Sequence, residues 1–170
     1  AYRRHFPAIN WLNSYSLYLD RLSGWFDENV SRSFMENRSG AMHLLQLESE
    51  LQEIVRLVGI DALSPEDRLT LETAQIIRED FLQQNAFSDT DSYTPLDKQA
   101  QLMGLILKFY ELGRRAISGG VSQNDVFAIS AREKIGRAKD APNDSYTKVY
   151  AEIDSLMESE IEKLMAKEVQ

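Results

Sequence analysis

The chain reads as an all-α protein, a helical bundle of about six helices with an irregular N-terminal segment. Three observations predict this. Apolar residues recur at spacings of three and four over most of the 170 residues. No alternation of apolar and polar residues runs long enough for a strand. Helix starts and stops are written in capping residues, most clearly around Gly59 and Ser64.

Residues 1–13 show no clear period, and Phe6, Ile9, Trp11 and Leu12 are read as capping a core edge or packing on a neighbouring domain. Ser14 or Ser16 opens a first helix, with Tyr15, Tyr18, Leu22, Trp25 and Phe26 as its stripe. Ser31 to Gly40 is polar, and Asn37, Ser39 and Gly40 act as weak breakers. From Ala41 a strong pattern follows in Leu44, Leu45, Leu47, Leu51, Ile54, Val55 and Val58, with Glu48, Glu50, Gln52, Glu53 and Arg56 opposite. Gly59 fits its C-cap.

Ser64, Pro65, Glu66 and Asp67 then form a helix start: a capping hydroxyl, proline at the first position and acids against the helix dipole. That helix is expected to reach about Gln84, with Leu69, Thr73, Ile76, Ile77 and Phe81 on one face. The two helices make a hairpin. Residues 88–92 read as a polar loop. Thr94 and Pro95 open the next helix, whose Leu102, Leu105, Ile106, Phe109, Tyr110, Leu112 and Ile117 make it apolar nearly all round and the candidate central helix. Gly119 and Gly120 end it. Two short helical pieces follow between Val121 and Lys139, anchored by Val126, Phe127, Ile129 and Ile135, then a loop over 140–144. The last helix starts at Ser145 and carries Tyr146, Val149, Ile153, Leu156, Ile161 and Leu164.

Composition excludes several kinds of chemistry. The net charge of −8 argues against a nucleic-acid backbone or an anionic membrane as main partner. There is no cysteine, hence no disulfide, thiolate metal site or thiol nucleophile. No apolar run approaches the ~20 residues of a membrane span, so direct membrane insertion is not expected. No phosphate loop, dinucleotide fingerprint or H-E-x-x-H motif occurs. His5 and His43 are isolated and read as structural or surface residues. No metal site and no catalytic residue is assigned.

The two ends of the hairpin remain. The tip, Asp61 to Asp67, pairs acids with an exposed-looking Leu63; capping alone accounts for Ser64, Pro65 and Glu66. The other end, Phe81 to Phe87, offers two aromatic faces and the amides of Gln83, Gln84 and Asn85. Such a set suits a planar heterocycle, stacked on a ring and read at its edge. An ordinary helix end with two core aromatics has the same pattern.

Several stretches resemble one family. Arg3 to Trp11 with Ser14-Tyr15-Ser16, Glu50 to Gly59, Ile77 to Phe87 and Leu107 to Glu111 are similar to the C-terminal helical domain of the catalytic subunit of archaeal-type (A-type) and vacuolar-type (V-type) rotary ATP synthases. The resemblance spans essentially the whole chain. It implies a domain of a much longer polypeptide, with 1–13 the remnant of a link to the nucleotide-binding domain and 14–170 the bundle. Phosphate loop, magnesium site and catalytic glutamate would lie in that other domain. The parent would couple ATP synthesis or hydrolysis to proton or sodium transport, using ATP or ADP with magnesium, none of it held tightly by this segment alone. Its partners would be the B-type subunit of the synthase, the rotor subunits of the central stalk and its own nucleotide-binding domain, on the cytoplasmic side of the cell membrane.

The resemblance also gives the hairpin ends roles. Asp61, Leu63, Ser64, Glu66 and Asp67 match the acidic D-E-L-S-E-E-D segment that touches the rotor in bacterial and mitochondrial synthases. Ala62 and Pro65 stand where that segment has acids, which weakens its charge. Phe87 would contact the adenine ring, Gln84, Asn85 and Ala86 its edge, and Phe81 would support them. A free-standing helical scaffold that binds partner helices in a groove is the competing reading.

Overall fold

The computed structural model describes residues 8–168. The readings placed on His5 and Phe6 lie outside them. Among the described residues there are eight α-helices and no strand, so the all-α expectation holds with two more helices than expected.

Helix α1, Leu19–Asn29, begins later than Ser14 or Ser16. The Ser16 hydroxyl accepts from Tyr18 N–H at 3.2 Å and closes a turn there instead. None of its side chains is fully buried. Helix α2, Phe34–Val58, runs through the expected breakers Asn37, Ser39 and Gly40. Packing and the helix's own bonds override their weak propensity: Phe34 stacks on Phe26 with ring centroids 4.6 Å apart, and the first turn closes with Asn37 N–H on the carbonyl of Ser33.

Gly59 ends α2 at φ 87°, a left-handed conformation that a residue without Cβ adopts readily. A short 3₁₀ turn, Ile60–Ala62, leads to Ser64, whose hydroxyl accepts from Asp67 N–H at 3.1 Å and donates to its carboxylate at 2.8 Å. Pro65 occupies the first position of α3, Pro65–Gln75. The chain then widens into a π-helical segment, Ile76–Leu82, closed by Gln83 N–H to the Arg78 carbonyl at 3.1 Å. So the single helix expected to Gln84 changes winding at Ile76 and stops at Leu82. The wider turn brings successive side chains closer in angle, and Ile76 and Ile77, adjacent in sequence, are both fully buried.

The expected polar loop contains a helical turn, α4, Asp89–Ser92, capped by the Ser88 hydroxyl. Helix α5, Leu96–Ser118, is central as expected: it packs on α2, α3 and the π segment, and on the three helices that follow. Those are α6, Gln123–Phe127, α7, Ser130–Arg137, and α8, Tyr146–Glu168. The N-cap of α7 is Ile129, which has no polar side chain; Glu160 of α8 does the capping, taking Ser130 N–H, Ser130 O–H and Ala131 N–H.

Two surface expectations are overturned. Glu48, read as solvent-facing, is buried between Gln52 and Arg78, with its charge paired to the latter. Ile54 and Val58, read as core, are exposed, because α2 outruns the bundle beyond Leu51.

Candidate functional site

The hairpin of α2, α3 and the π segment presents two separate candidate sites. At the tip, Asp61, Ser64 and Glu66 are exposed and Asp67 is half-buried. Asp61 meets Arg68 at 3.3 Å across the surface, a pairing worth little in water. Leu63 does not fit its exposed-looking reading: at 7% exposure it is the tip's inner anchor. The apolar groups that do face outward are Leu57 at 82%, Val58 at 64% and Ile60 at 53%. The sequence hides them, because the apolar pattern of α2 reads as core-packed to its end. The one signal available was that Leu57 falls off the stripe.

At the other end the structure separates residues that lie together in sequence. Phe81 packs against the core and lines a cavity of about 200 Å³ with Gln84. Asn85, Ala86 and Phe87 lie beyond it on an exposed turn. The Phe87 ring is 100% exposed. That turn is nevertheless held. Asn85 N–H donates to Asp91 Oδ2 at 2.5 Å, Asn85 Oδ1 accepts from Phe87 N–H at 3.1 Å, and Ser88 N–H reaches the Asn85 carbonyl at 3.0 Å.

The rest of the cavity comes from distant parts of the chain: Trp11, Lys98, Lys139 and Tyr150 among others. Trp11 packs on the core from the irregular N-terminal stretch. Lys98 had a signal in the sequence: it shares the apolar stripe of Leu102, Leu105 and Phe109 on α5. Burial pushes its ammonium below the usual lysine range, while Asp140 and Asp91 act against that shift. Burial likewise raises the Tyr150 hydroxyl, which donates to the Ala138 carbonyl at 3.2 Å.

Chemically the patch offers a free aromatic face, amide edges and a small cavity, which suit a flat ring. Among the described residues no group of three or more His, Cys, Asp or Glu side chains gathers to hold a metal ion. No helix among them is long and apolar enough to cross a membrane.

Residues 23–126 match the family model described as the C-terminal domain of V and A type ATP synthase. The chain belongs to this family. Its matched part contains both ends of the hairpin and all of α5. The V-type ATP synthase alpha chain of Acetivibrio thermocellus is 57% identical over all 170 residues, which make up 29% of that protein. The protein of the same name from Clostridioides difficile is 52% identical over 98% of the chain and 28% of its own length. The alpha chain 1 from Clostridium tetani agrees equally well, at 52% over the same shares. The chain thus spans under a third of the length of these relatives. Family membership agrees with the resemblance seen in the sequence and does not favour the free-standing scaffold.

Proposed function

We propose that this chain works as the C-terminal helical domain of the catalytic subunit of a rotary ATP synthase. There it forms the adenine-side wall of the nucleotide site and the surface that meets the rotor. The parent would convert between ATP and ADP, with magnesium, while protons or sodium ions cross the membrane. Partners would be the B-type subunit of the synthase, the central-stalk subunits and the parent's own nucleotide-binding domain, reached through the link at residues 1–13. The assembly would sit peripherally on the cytoplasmic side of the cell membrane.

The nucleotide half rests on one observation: Phe87 is a fully exposed ring on a turn whose backbone is hydrogen-bonded in place. A buried aromatic would need no outside partner; an exposed one on an ordered turn is suited to stacking. In this reading Gln84, Asn85 and Ala86 meet the edge of the base and Phe81 backs them. Phosphates and magnesium are left to the other domain. The rotor half draws on the tip, where Leu57, Val58 and Ile60 add an apolar face to the acids Asp61, Glu66 and Asp67, with Ser64 as cap and Leu63 as anchor.

Both sites lie on one hairpin. Nucleotide and rotor are then coupled if each favours the same one of two domain positions. The test is nucleotide binding by the intact catalytic polypeptide. Phe87→Ala should raise the dissociation constant about tenfold, in the range for losing one base–aromatic stack. Gln84→Ala should raise it less. An unchanged constant in both variants removes the pocket assignment.

A further inference from the structure

Lys98 lies in the first turn of α5 and is 0% exposed. A buried ammonium is costly unless its donors are used. All three are: Nζ donates to the Ala141 carbonyl at 2.6 Å, the Lys139 carbonyl at 2.9 Å and Asn143 Oδ1 at 3.0 Å. No carboxylate is among these acceptors. All three belong to the turn between α7 and α8, whose carbonyls have few helical partners. Asn143 is itself tied back, through Nδ2 to the Tyr93 carbonyl at 3.3 Å. An apolar side chain would fill the same space without the desolvation cost, so what lysine adds is the grip on this turn.

The turn passes that grip on. Lys139, held by its carbonyl, sends its own Nζ to the Gln83 carbonyl at 2.9 Å. The same Nζ stands 3.9 Å from Asp91 Oδ2, the oxygen that takes Asn85 N–H. Asn85 in turn holds Phe87 N–H. Gln83 has left the π segment for an extended conformation, with φ −71° and ψ 127°. From there to Ser88 no helix fixes the backbone. Lys139 holds the Gln83 carbonyl and Asp91 holds Asn85 N–H, and Lys98 holds the backbone from which Lys139 reaches out.

We propose that Lys98 and Lys139 form a two-lysine clamp that sets the conformation of Gln83–Phe87, making them positioning residues for the nucleotide-facing turn. This rests on the nucleotide reading above. Both act on the turn: Lys98 through Lys139, and Lys139 through the Gln83 carbonyl and Asp91.

Amide hydrogen exchange in the intact catalytic polypeptide decides it. Lys139→Met should speed exchange at Asn85 and Phe87 about tenfold while leaving Phe109, at the centre of α5, unchanged. Lys139→Arg, which keeps a donor within reach of Gln83, should restore protection. Lys98→Met should act in the same direction as Lys139→Met. In nucleotide turnover, Lys139→Met should raise KM several-fold with little change in kcat, the mark of lost binding common to ground and transition states. Unchanged exchange at Asn85 and Phe87 in Lys139→Met overturns the clamp. So does a loss of protection that Phe109 shares equally, which would make the lysines merely structural. The binding test above separates the two ideas: if Phe87→Ala and Gln84→Ala both leave the nucleotide dissociation constant unchanged, the nucleotide reading falls, while exchange at Asn85 still decides the clamp.

Discussion

Arg78, the third residue of the π segment, is ion-paired with Glu48 of α2, so the two arms of the hairpin are tied by charge well away from its turn. Both side chains are mostly buried, at 19% and 9% exposure. Arg78 also holds Glu79 at 3.0 Å, and Glu48 takes Gln52 at 2.8 Å. Bending the hairpin at the π segment would pull this pair apart, so the pair stiffens the hairpin.

Removing one partner should therefore hurt more than removing both. Arg78→Met leaves Glu48 buried without its cation, a change that costs about 3 kcal/mol. For a chain of this size that lowers the melting temperature by roughly 6–12 °C. Glu48→Met combined with Arg78→Met should recover most of the loss. Thermal unfolding of the three variants checks this. A double variant no better than the single one would mean that the pair is not what stabilises the hairpin.

Two glycines inside helices should respond oppositely to alanine. A Cβ at Gly113 of α5 would stand 3.0 Å from a Leu69 methyl and 3.2 Å from one of Val126, both fully buried. Gly113→Ala should destabilise by about 1–2 kcal/mol, overpacking outweighing the gain in helix propensity. At Gly24 of α1 nothing lies within 4 Å. Gly24→Ala should stabilise by up to about 1 kcal/mol. Denaturant midpoints at constant m-value read both.

The tie between α5 and α8 should show in the pH dependence of stability. Tyr146 donates its hydroxyl to Asp97 Oδ2 at 2.5 Å. That bond holds the Asp97 carboxyl below its ordinary 3.8. Burial, with the same bond, pushes the Tyr146 hydroxyl from 10.0 up to about 12. The carboxylate contribution is present above pH 3.8 and is lost as pH falls below it. The phenol contribution is complete below pH 10 and is lost between 10 and 12, where the unfolded chain ionises first. The stability difference between the parent protein and Tyr146→Phe should thus be flat from about pH 5 to 9 and shrink on both sides. A difference that persists well above the folded-state value of about 12 would show that the hydroxyl bond is not its source.

The helices were legible because a packed helix must show its buried side every three or four residues, as α5 does from Leu102 to Ile117. Gly59 and Ser64 were legible because caps are local chemistry. What could not be read depended on partners far along the chain. Glu48 looks like any surface acid until Arg78 arrives from another element. The π winding at Ile76 changes hydrogen-bond register without changing the apolar pattern enough to reveal it. Phe81 and Phe87 read as one patch, and only the extended backbone at Gln83 separates an inward ring from an outward one. Lys98 is the instructive case, since a lysine on an apolar stripe marks a buried cation but does not name its acceptors.

At the tip, anchoring and contact should come apart under mutation. Leu63 is buried, so Leu63→Ala should cost about 2–3 kcal/mol of stability. Ser64→Ala removes the cap on Asp67 N–H and should cost about 1 kcal/mol. Leu57 and Ile60 face outward, and Leu57→Ser with Ile60→Ser should change stability by no more than about 0.5 kcal/mol. If the tip meets the rotor as proposed above, that same pair should weaken coupling between nucleotide hydrolysis and rotor movement in the assembled enzyme, because the apolar part of the contact would be lost. Charge reversal at Asp61 and Glu66 should do less, since both are exposed and screened by salt. Coupling efficiency in reconstituted complexes is the measurement. A larger effect from the acids than from Leu57 and Ile60 would return the contact to electrostatics and remove the apolar face from it.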